Sequence, residues 1–219
     1  MPSRLLLHFV TQSGWGVAPH PWESFGEWSE RMHLIFPDAK LVLFEPQKMC
    51  QERIHARHIP NMELIPKALG ASEDTLILHS DSELSGLASL HERHDSFCLN
   101  SKFHSQSVEV TTLDKEIASR GFGCVDFVKM DIEGHELEAI RGAQESLKAG
   151  IIKALAFEFG SGNINSRTFF RDFWEILTQL GFRIYRVLPS SKLMLIDNYY
   201  EDCEYFRGVS NYIAVLRNC

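Results

Sequence analysis

The stretch 125–150, VDFVKMDIEGHELEAIRGAQESLKAG, decides the fold that this sequence predicts. It begins with a short apolar run of strand length, and its second half repeats apolar residues at three- and four-residue spacing: Leu137, Ile140, Ala143 and Leu147. That spacing predicts one apolar face of a helix, and Gly150 is the expected end of that helix. The polar residues Asp131, Glu133 and His135 therefore fall in the loop after a buried strand. In open α/β sheets, ligands bind at this edge.

Apolar runs of strand length recur along the chain, at 5–10, 41–44, 62–69, 75–79, 151–159, 182–188 and 211–216. Helical patterns separate most of them, which predicts a mainly parallel sheet with helices on both faces. The last two runs follow each other without a clear helix, so we expect an antiparallel hairpin at one edge. Residues 81–107 are polar and irregular, a composition typical of a functional loop or lid, and GSGNINS (160–166) reads as a loop.

Length, charge and cysteine content limit the class of protein. With 219 residues, of which 44% are hydrophobic, one domain covering residues 1–219 is expected. No run approaches the roughly twenty apolar residues of a membrane span, and the five cysteines form no C-x-x-C pair. We therefore expect a soluble, cytoplasmic protein with reduced thiols. The net charge of −7 argues against a nucleic-acid partner.

A helix start near Gly26 is followed by a strand that ends in an acid, Glu45. Ser24 and Glu27 have the spacing of a capping box at that helix start. In Rossmann-like units this arrangement binds a nucleoside, because backbone N–H groups face the anionic part of the ligand and the carboxylate accepts hydrogen bonds from the ribose. Glu45 is therefore the predicted ribose ligand, the alternative being a solvated acid after a strand.

The segment VDFVKMDIEGHELEAIRGA (125–143) resembles the signature segment of the FkbM-type methyltransferases, which use S-adenosylmethionine and mostly methylate hydroxyl oxygens. Weaker similarity runs from about Gly26 to the C-terminus, in FPDAKLVLFEP, GNINSRTFFRDFW and NYIAVL. The resemblance implies a Rossmann-like methyltransferase fold with a doubly wound sheet and an antiparallel edge hairpin. It also implies S-adenosylmethionine as cofactor, bound by Gly26, Glu45, Pro46, Ala68, Leu69 and Asp131. For Ala68 and Leu69, ordinary apolar packing is the alternative.

Transfer of a methyl group to a hydroxyl needs a base close to the acceptor oxygen. Asp131, Glu133 and His135 are the predicted catalytic residues. Alternatively, Asp131 caps the following helix and the other two are solvated. Asp131, Glu133 and Glu158 could instead hold magnesium, although nothing in their spacing requires a metal and we predict none.

The loop at 160–166 supplies further candidates to contact the acceptor: Asn163, Asn165, Ser166 and Arg167. The alternative is that Asn165 or Ser166 serves as an ordinary helix cap.

The first twenty-five residues depart from the resemblance. FkbM-type enzymes begin with a strand that runs into a D-x-G-A-N-x-G loop, and here only Gly26 matches that pattern. Residues 5–10 could supply the first strand through a longer loop, with Gly14 and Gly16 as substitute glycines. Alternatively, the N-terminus is foreign to the family and cofactor binding is impaired.

The sequence thus leads to an S-adenosylmethionine-dependent O-methyltransferase that acts on a hydroxyl of a small molecule or saccharide. A catalytically impaired member that serves as a binding or scaffold protein is the alternative. A nucleotide-dependent oxidoreductase is disfavoured, because the chain lacks a G-x-G-x-x-G motif.

Overall fold

The computed structural model describes residues 5–9, 26–94, 102–206 and 208–217. Its strands are β1 (Leu5–Phe9), β2 (Lys40–Phe44), β3 (Met62–Ile65), β4 (Ala68–Leu69), β5 (Asp74–Ser80), β6 (His104–Thr111), β7 (Phe127–Lys129), β8 (Ala154–Gly160), β9 (Phe182–Val187), β10 (Leu193–Ile196) and β11 (Val209–Leu216). Its helices are α1 (Glu27–Ile35), α2 (Lys48–His55), α3 (Leu113–Ser119), α4 (Glu136–Arg141), α5 (Gln144–Lys148), α6 (Ser161–Ser166) and α7 (Phe170–Gln179), with a 3₁₀ turn at Glu201–Glu204.

An eight-stranded sheet has the order β3-β2-β1-β7-β8-β11-β9-β10. The five strands from β3 to β8 are parallel to one another, whereas the pairings β8–β11, β11–β9 and β9–β10 are antiparallel. The predicted mainly parallel sheet with an antiparallel edge is therefore confirmed. The antiparallel edge differs in two details from the prediction. Strand β11 lies between β8 and β9, and the outermost strand is β10, which the sequence did not predict.

The first strand lies at the centre of the sheet. Leu7 of β1 pairs with Val42 of β2 on one side and with Val128 of β7 on the other. Residues 5–9 thus supply the first strand, as one of the two alternatives predicted. Gly14 and Gly16 lie outside the described residues. The chain order reverses between β1 and β7, and crevices at such switch points bind ligands in α/β proteins.

Neighbouring residues of the central strands face opposite sides of the sheet. Leu41 and Leu43 belong to an apolar cluster with Ile54 of α2, whereas Val42 and Phe44 belong to a larger cluster that includes residues of α3, α4 and α7. Helices therefore cover both faces, as the apolar runs predict. Within the described residues, no helix is long and apolar enough to span a membrane.

A second sheet has the order β4-β6-β5. The run predicted as one strand at 62–69 is divided at Pro66, so that β3 joins the large sheet and β4 the small one. Strand β6 begins at His104, inside the segment predicted to be irregular. That prediction is wrong for residues 104–107, which pair with β5.

The helix predicted from Leu137 to Gly150 is interrupted, so that prediction is also wrong in part. Gly142, where α4 ends, packs so tightly that a Cβ there would lie 2.0 Å from the carbonyl oxygen of Gly70. The Asp114 carboxylate then accepts hydrogen bonds from the backbone nitrogens of Glu145 and Ser146 at the start of α5. The predicted end is confirmed, since Gly150 has a φ of 66°.

Two other local predictions are revised. The segment 161–166 forms α6 instead of a loop, and the side chain of Asn163 accepts a hydrogen bond from the Gly160 nitrogen at 2.8 Å. Helix α1 begins at Glu27 with Gly26 as its N-cap, at a φ of 79° and without a side-chain cap. Ser24, predicted as part of a capping box, lies outside the described residues.

Candidate cofactor and active site

Glu45 follows β2 at the carboxyl edge of the parallel sheet and is completely buried. One carboxyl oxygen, Oε1, accepts a hydrogen bond from the Gln47 nitrogen at 2.6 Å. The other, Oε2, has no hydrogen-bond partner within the described ranges of the chain. Burial raises the pKa of Glu45 well above its usual value, while the hydrogen bonds from Gln47 lower it. A buried oxygen without a partner costs free energy, which a ligand that donates hydrogen bonds would recover.

A cavity that is partly open to solvent lies beside the chain segment around Glu45. Its lining consists of Phe44, Pro46, Lys67, Ala68, Leu69, Leu78, Ala88, Leu90, Ile132 and His135. Three predicted cofactor residues, Pro46, Ala68 and Leu69, are thereby brought together in one mostly apolar wall. Gly26 does not line this cavity, and its nearest side-chain neighbours are Arg57 and Ile54 of α2.

Three carboxyl groups form an acidic cluster, defined by Asp131, Glu133 and Glu158. Each offers an oxygen within 4.8 Å of the others, and all three residues are buried. Such a group could hold a metal ion, as one reading of the sequence suggested. Two cations already pair with it, since Lys129 Nζ lies 2.7 Å from an Asp131 oxygen and Arg93 Nη1 lies 2.6 Å from a Glu133 oxygen.

Burial changes the proton affinity of the acidic cluster. It raises the pKa of Glu133 to about 8, with a further increase from the Asp131 charge that Arg93 opposes. Burial and the Asp131 charge also raise the pKa of Glu158 well above its usual value. The raised pKa of Glu133 lies close to the neutral range in which a general acid or base works.

The backbone of the loop between β7 and α4 is tightly fixed. Glu133 and Gly134 have φ values of 51° and 98°, and the Glu136 carboxylate accepts hydrogen bonds from the nitrogens of Ile132 and Gly134. Burial raises the pKa of Glu136 to about 7. A Cβ on Gly134 would lie 2.5 Å from the carbonyl oxygen of Gly162. The backbones of the loop and of α6 therefore lie in close contact at Gly134.

A covering segment, residues 81–94, crosses the carboxyl edge and contacts three neighbours. Its Ser85 exchanges hydrogen bonds with the side chain of Gln47, and its Ser89 hydroxyl donates to the Glu133 carbonyl at 2.8 Å. Arg93 reaches Glu133, and the nitrogen of His94 donates to the Asn165 side chain at 3.0 Å. The predicted functional loop therefore lies over the site, although residues 95–101 fall outside the described ranges.

His135 differs from the acidic cluster in its contacts and in the direction of its pKa shift. It lines the cavity, and its Nδ1 lies 2.9 Å from Nε2 of His91. Burial, and next the neighbouring His91, lowers the pKa of His135 to about 3. It is therefore neutral at pH 7 and a weak base.

Polar residues of α6 make hydrogen bonds within the fold. Asn163 is buried and also donates a hydrogen bond to the Thr168 hydroxyl at 2.9 Å. The Ser166 hydroxyl contacts the same hydroxyl of Thr168, also at 2.9 Å. Sequence reasoning missed the contacts of Arg93 with Glu133 and of His91 with His135, since these partners are about forty residues away in the chain.

The central parallel sheet, the antiparallel edge and the buried acid after β2 define a Rossmann-like methyltransferase fold. The sequence profile of the methyltransferase FkbM domain matches residues 18–184. The chain belongs to this family. A comparison with curated proteins found no significant match.

Among solved structures, methyltransferase FkbM from Methylobacillus flagellatus KT is similar, with a TM-score of 0.52 and 13% identity over 96% of this chain. This chain spans 43% of the length of that protein. Precorrin-6y C5,15-methyltransferase from Geobacter metallireducens GS-15 is 8% identical, with a TM-score of 0.44 and coverage of 99% of this chain and 82% of its own. The 16S rRNA (adenine(1408)-N(1))-methyltransferase from Catenulisporales acidiphilia is 14% identical, with a TM-score of 0.40 and coverage of 97% and 87%.

Proposed function

We propose that the protein is an S-adenosylmethionine-dependent methyltransferase that methylates a hydroxyl of a small molecule or saccharide. The observation that carries this proposal is Glu45, a buried carboxyl whose Oε2 has no partner within the described ranges and whose two chain neighbours line the cavity. The ribose of a nucleoside offers two hydroxyl donors to such a carboxylate. We further propose that residues 1–219 form one methyltransferase domain and that it works in the cytoplasm.

The residues around the cavity suit S-adenosylmethionine. Pro46, Ala68 and Leu69 offer an apolar wall for the adenine, and Glu45 would hold the ribose. Asp131 would lie near the reacting groups, because it follows β7 beside the switch point. When bound, S-adenosylmethionine supplies an electrophilic methyl group.

The acidic cluster fits the deprotonation of an acceptor hydroxyl. As the acceptor oxygen forms its bond to the methyl carbon, its proton must pass to a base. Glu133 can take that proton when it is ionised, and its raised pKa of about 8 makes the carboxylate a stronger base. Asp131, held by Lys129, can orient the hydroxyl. The net charge of −7 favours a small acceptor over a polyanionic one.

Isothermal titration with S-adenosylhomocysteine tests the cofactor site. We expect wild-type protein to bind with a dissociation constant of roughly 1–100 μM. Glu45→Ala should weaken binding about 10- to 100-fold, because it removes the proposed acceptor of the ribose hydrogen bonds. Glu63→Ala is the matched control, since this acid lies in the next strand, outside the cavity lining, and pairs with Lys40 and Arg120. Its affinity should equal that of wild type.

Absence of binding to folded wild-type protein would contradict the proposal and leave the binding or scaffold alternative. If binding is found, release of S-adenosylhomocysteine from S-adenosylmethionine in the presence of hydroxylated acceptors would identify the acceptor class. Asp131→Asn and Glu133→Gln should then lower turnover more than they lower cofactor affinity.

A further inference from the structure

The cavity contains a histidine that the proposed methyl transfer does not use. His135 lines it and is 7% exposed. Its Nε2 would lie 3.4 Å from a Cβ built on Gly70, the residue after the predicted adenine wall. Across the described ranges of the chain, Nε2 has no hydrogen-bond partner. This atom is therefore available to a ligand in the cavity.

His91 fixes the orientation of the His135 ring. The two rings lie 5.0 Å apart between centroids, and His135 Nδ1 is 2.9 Å from His91 Nε2. Burial lowers the pKa of both histidines and so favours the neutral form of each ring. One proton then lies between them. If His91 donates it, His135 Nε2 carries a proton and is a donor; if His135 donates it, Nε2 is an acceptor.

The surroundings of Nε2 favour a purine. Apolar side chains form most of the cavity wall and suit the face of an aromatic ring. The edge of adenine presents an amino donor and ring-nitrogen acceptors, so one neutral histidine nitrogen can hydrogen-bond to it in either tautomer. Because the other lining groups are mostly apolar, this single contact can distinguish one base from another.

We propose that His135, oriented by His91, hydrogen-bonds the edge of the adenine and thereby determines which nucleoside the cavity accepts. The inference rests on the proposed function, since it needs a nucleoside ligand. It gives His135 a role in specificity instead of proton transfer and makes His91 a positioning residue.

Titration calorimetry with four ligands tests this assignment. They are S-adenosylhomocysteine and its analogues that lack the 6-amino group, N1 or N7 of the base. We expect wild-type protein to bind one analogue about 3- to 10-fold more weakly than the parent, the value of one neutral hydrogen bond. His135→Phe should bind that analogue and the parent equally, within about twofold, because a double-mutant comparison isolates the shared contact.

Two further variants separate this contact from a general effect on folding. His91→Phe leaves His135 in place but removes its partner, so the discrimination should decrease while the protein stays folded. His94→Phe, an exposed histidine of the same covering segment, should keep the wild-type discrimination. Should His135→Phe fail to fold, His135→Leu and His91→Phe carry the test.

The outcomes are distinct. Equal binding of all four ligands by wild type, or unchanged discrimination in the His135 variants, would overturn the assignment and leave the proposed function intact. Failure of folded wild type to bind any of the four ligands would overturn both.

Discussion

The cavity beside Glu45 and the acidic cluster lie at the same edge of the sheet but satisfy their buried charge in opposite ways. In the cluster, Lys129 and Arg93 pair with two of the three carboxyl groups inside the fold. At the cavity, Glu45 keeps an oxygen without a partner within the described ranges. This difference shows that burial of a carboxyl group does not by itself indicate a ligand site. An unused hydrogen-bonding atom beside a cavity is a stronger indication, because a bound ligand can recover its desolvation cost.

The largest effect on stability is expected in the cluster. Lys129→Met would leave the buried Asp131 carboxylate without this cation, which typically costs about 3–5 kcal/mol. For a chain of this size the melting temperature should fall by about 2–4 °C per kcal/mol. Thermal unfolding monitored by circular dichroism measures the change. The double variant Lys129→Met/Asp131→Asn should recover part of it, because the buried charge that Lys129 compensated is removed as well.

The control is Arg171→Met, which removes the cation of the exposed ion pair with Glu175. Surface pairs contribute little, so its melting temperature should stay at the wild-type value. A similar drop in both variants would contradict the distinction between buried and exposed pairs.

A smaller change in melting temperature is expected when the pH is changed. Burial raises the pKa of Glu133 to about 8 and that of Glu136 to about 7. A carboxyl whose pKa is higher in the folded protein than in the unfolded chain stabilises the fold when it is protonated. This stabilisation is complete below the pKa of the unfolded chain, near 4.5, and is lost as pH rises through the pKa of the folded protein. We therefore expect the melting temperature to fall between about pH 5 and pH 8.

Glu136→Gln should have a shallower fall across this range, since it removes one of the titrating groups. The matched control is Glu201→Gln, an exposed acid in the 3₁₀ turn, which should keep the wild-type slope. A melting temperature that rises with pH, or an unchanged slope in Glu136→Gln, would contradict the raised pKa values of Glu133 and Glu136.

The smallest change in stability is expected at the cavity. Glu45→Gln removes a buried carboxyl that has an oxygen without a partner, so the melting temperature should stay constant or rise slightly. Affinity for S-adenosylhomocysteine should nevertheless fall about 10-fold or more, because a neutral amide is a weaker acceptor for ribose hydroxyls. Melting and titration on the same preparation would show this opposite response. A marked loss of stability with unchanged affinity would mean that Glu45 serves the fold.

The central strands were predictable because their side chains carry the signal locally. The apolar run of β2 and the acid after it place Glu45 at the ligand edge without knowledge of any distant contact. The break at Gly142 could not be predicted, since it depends on the backbone of Gly70. The same holds for Arg93 and His91, whose partners lie in another loop. Site roles for Asp131 and Glu133 stay predictions, although the structure brings both into one cluster.

The central position of β1 has a consequence for how the chain folds. Leu7 pairs with Val42, made soon afterwards, and with Val128, made much later. Until β7 exists, one side of β1 is an open edge with apolar neighbours, the kind of surface that pairs with other chains. Contacts between distant segments also slow folding. The middle of the finished sheet is therefore its border until β7 has been made, and aggregation is the hazard that this order of events creates.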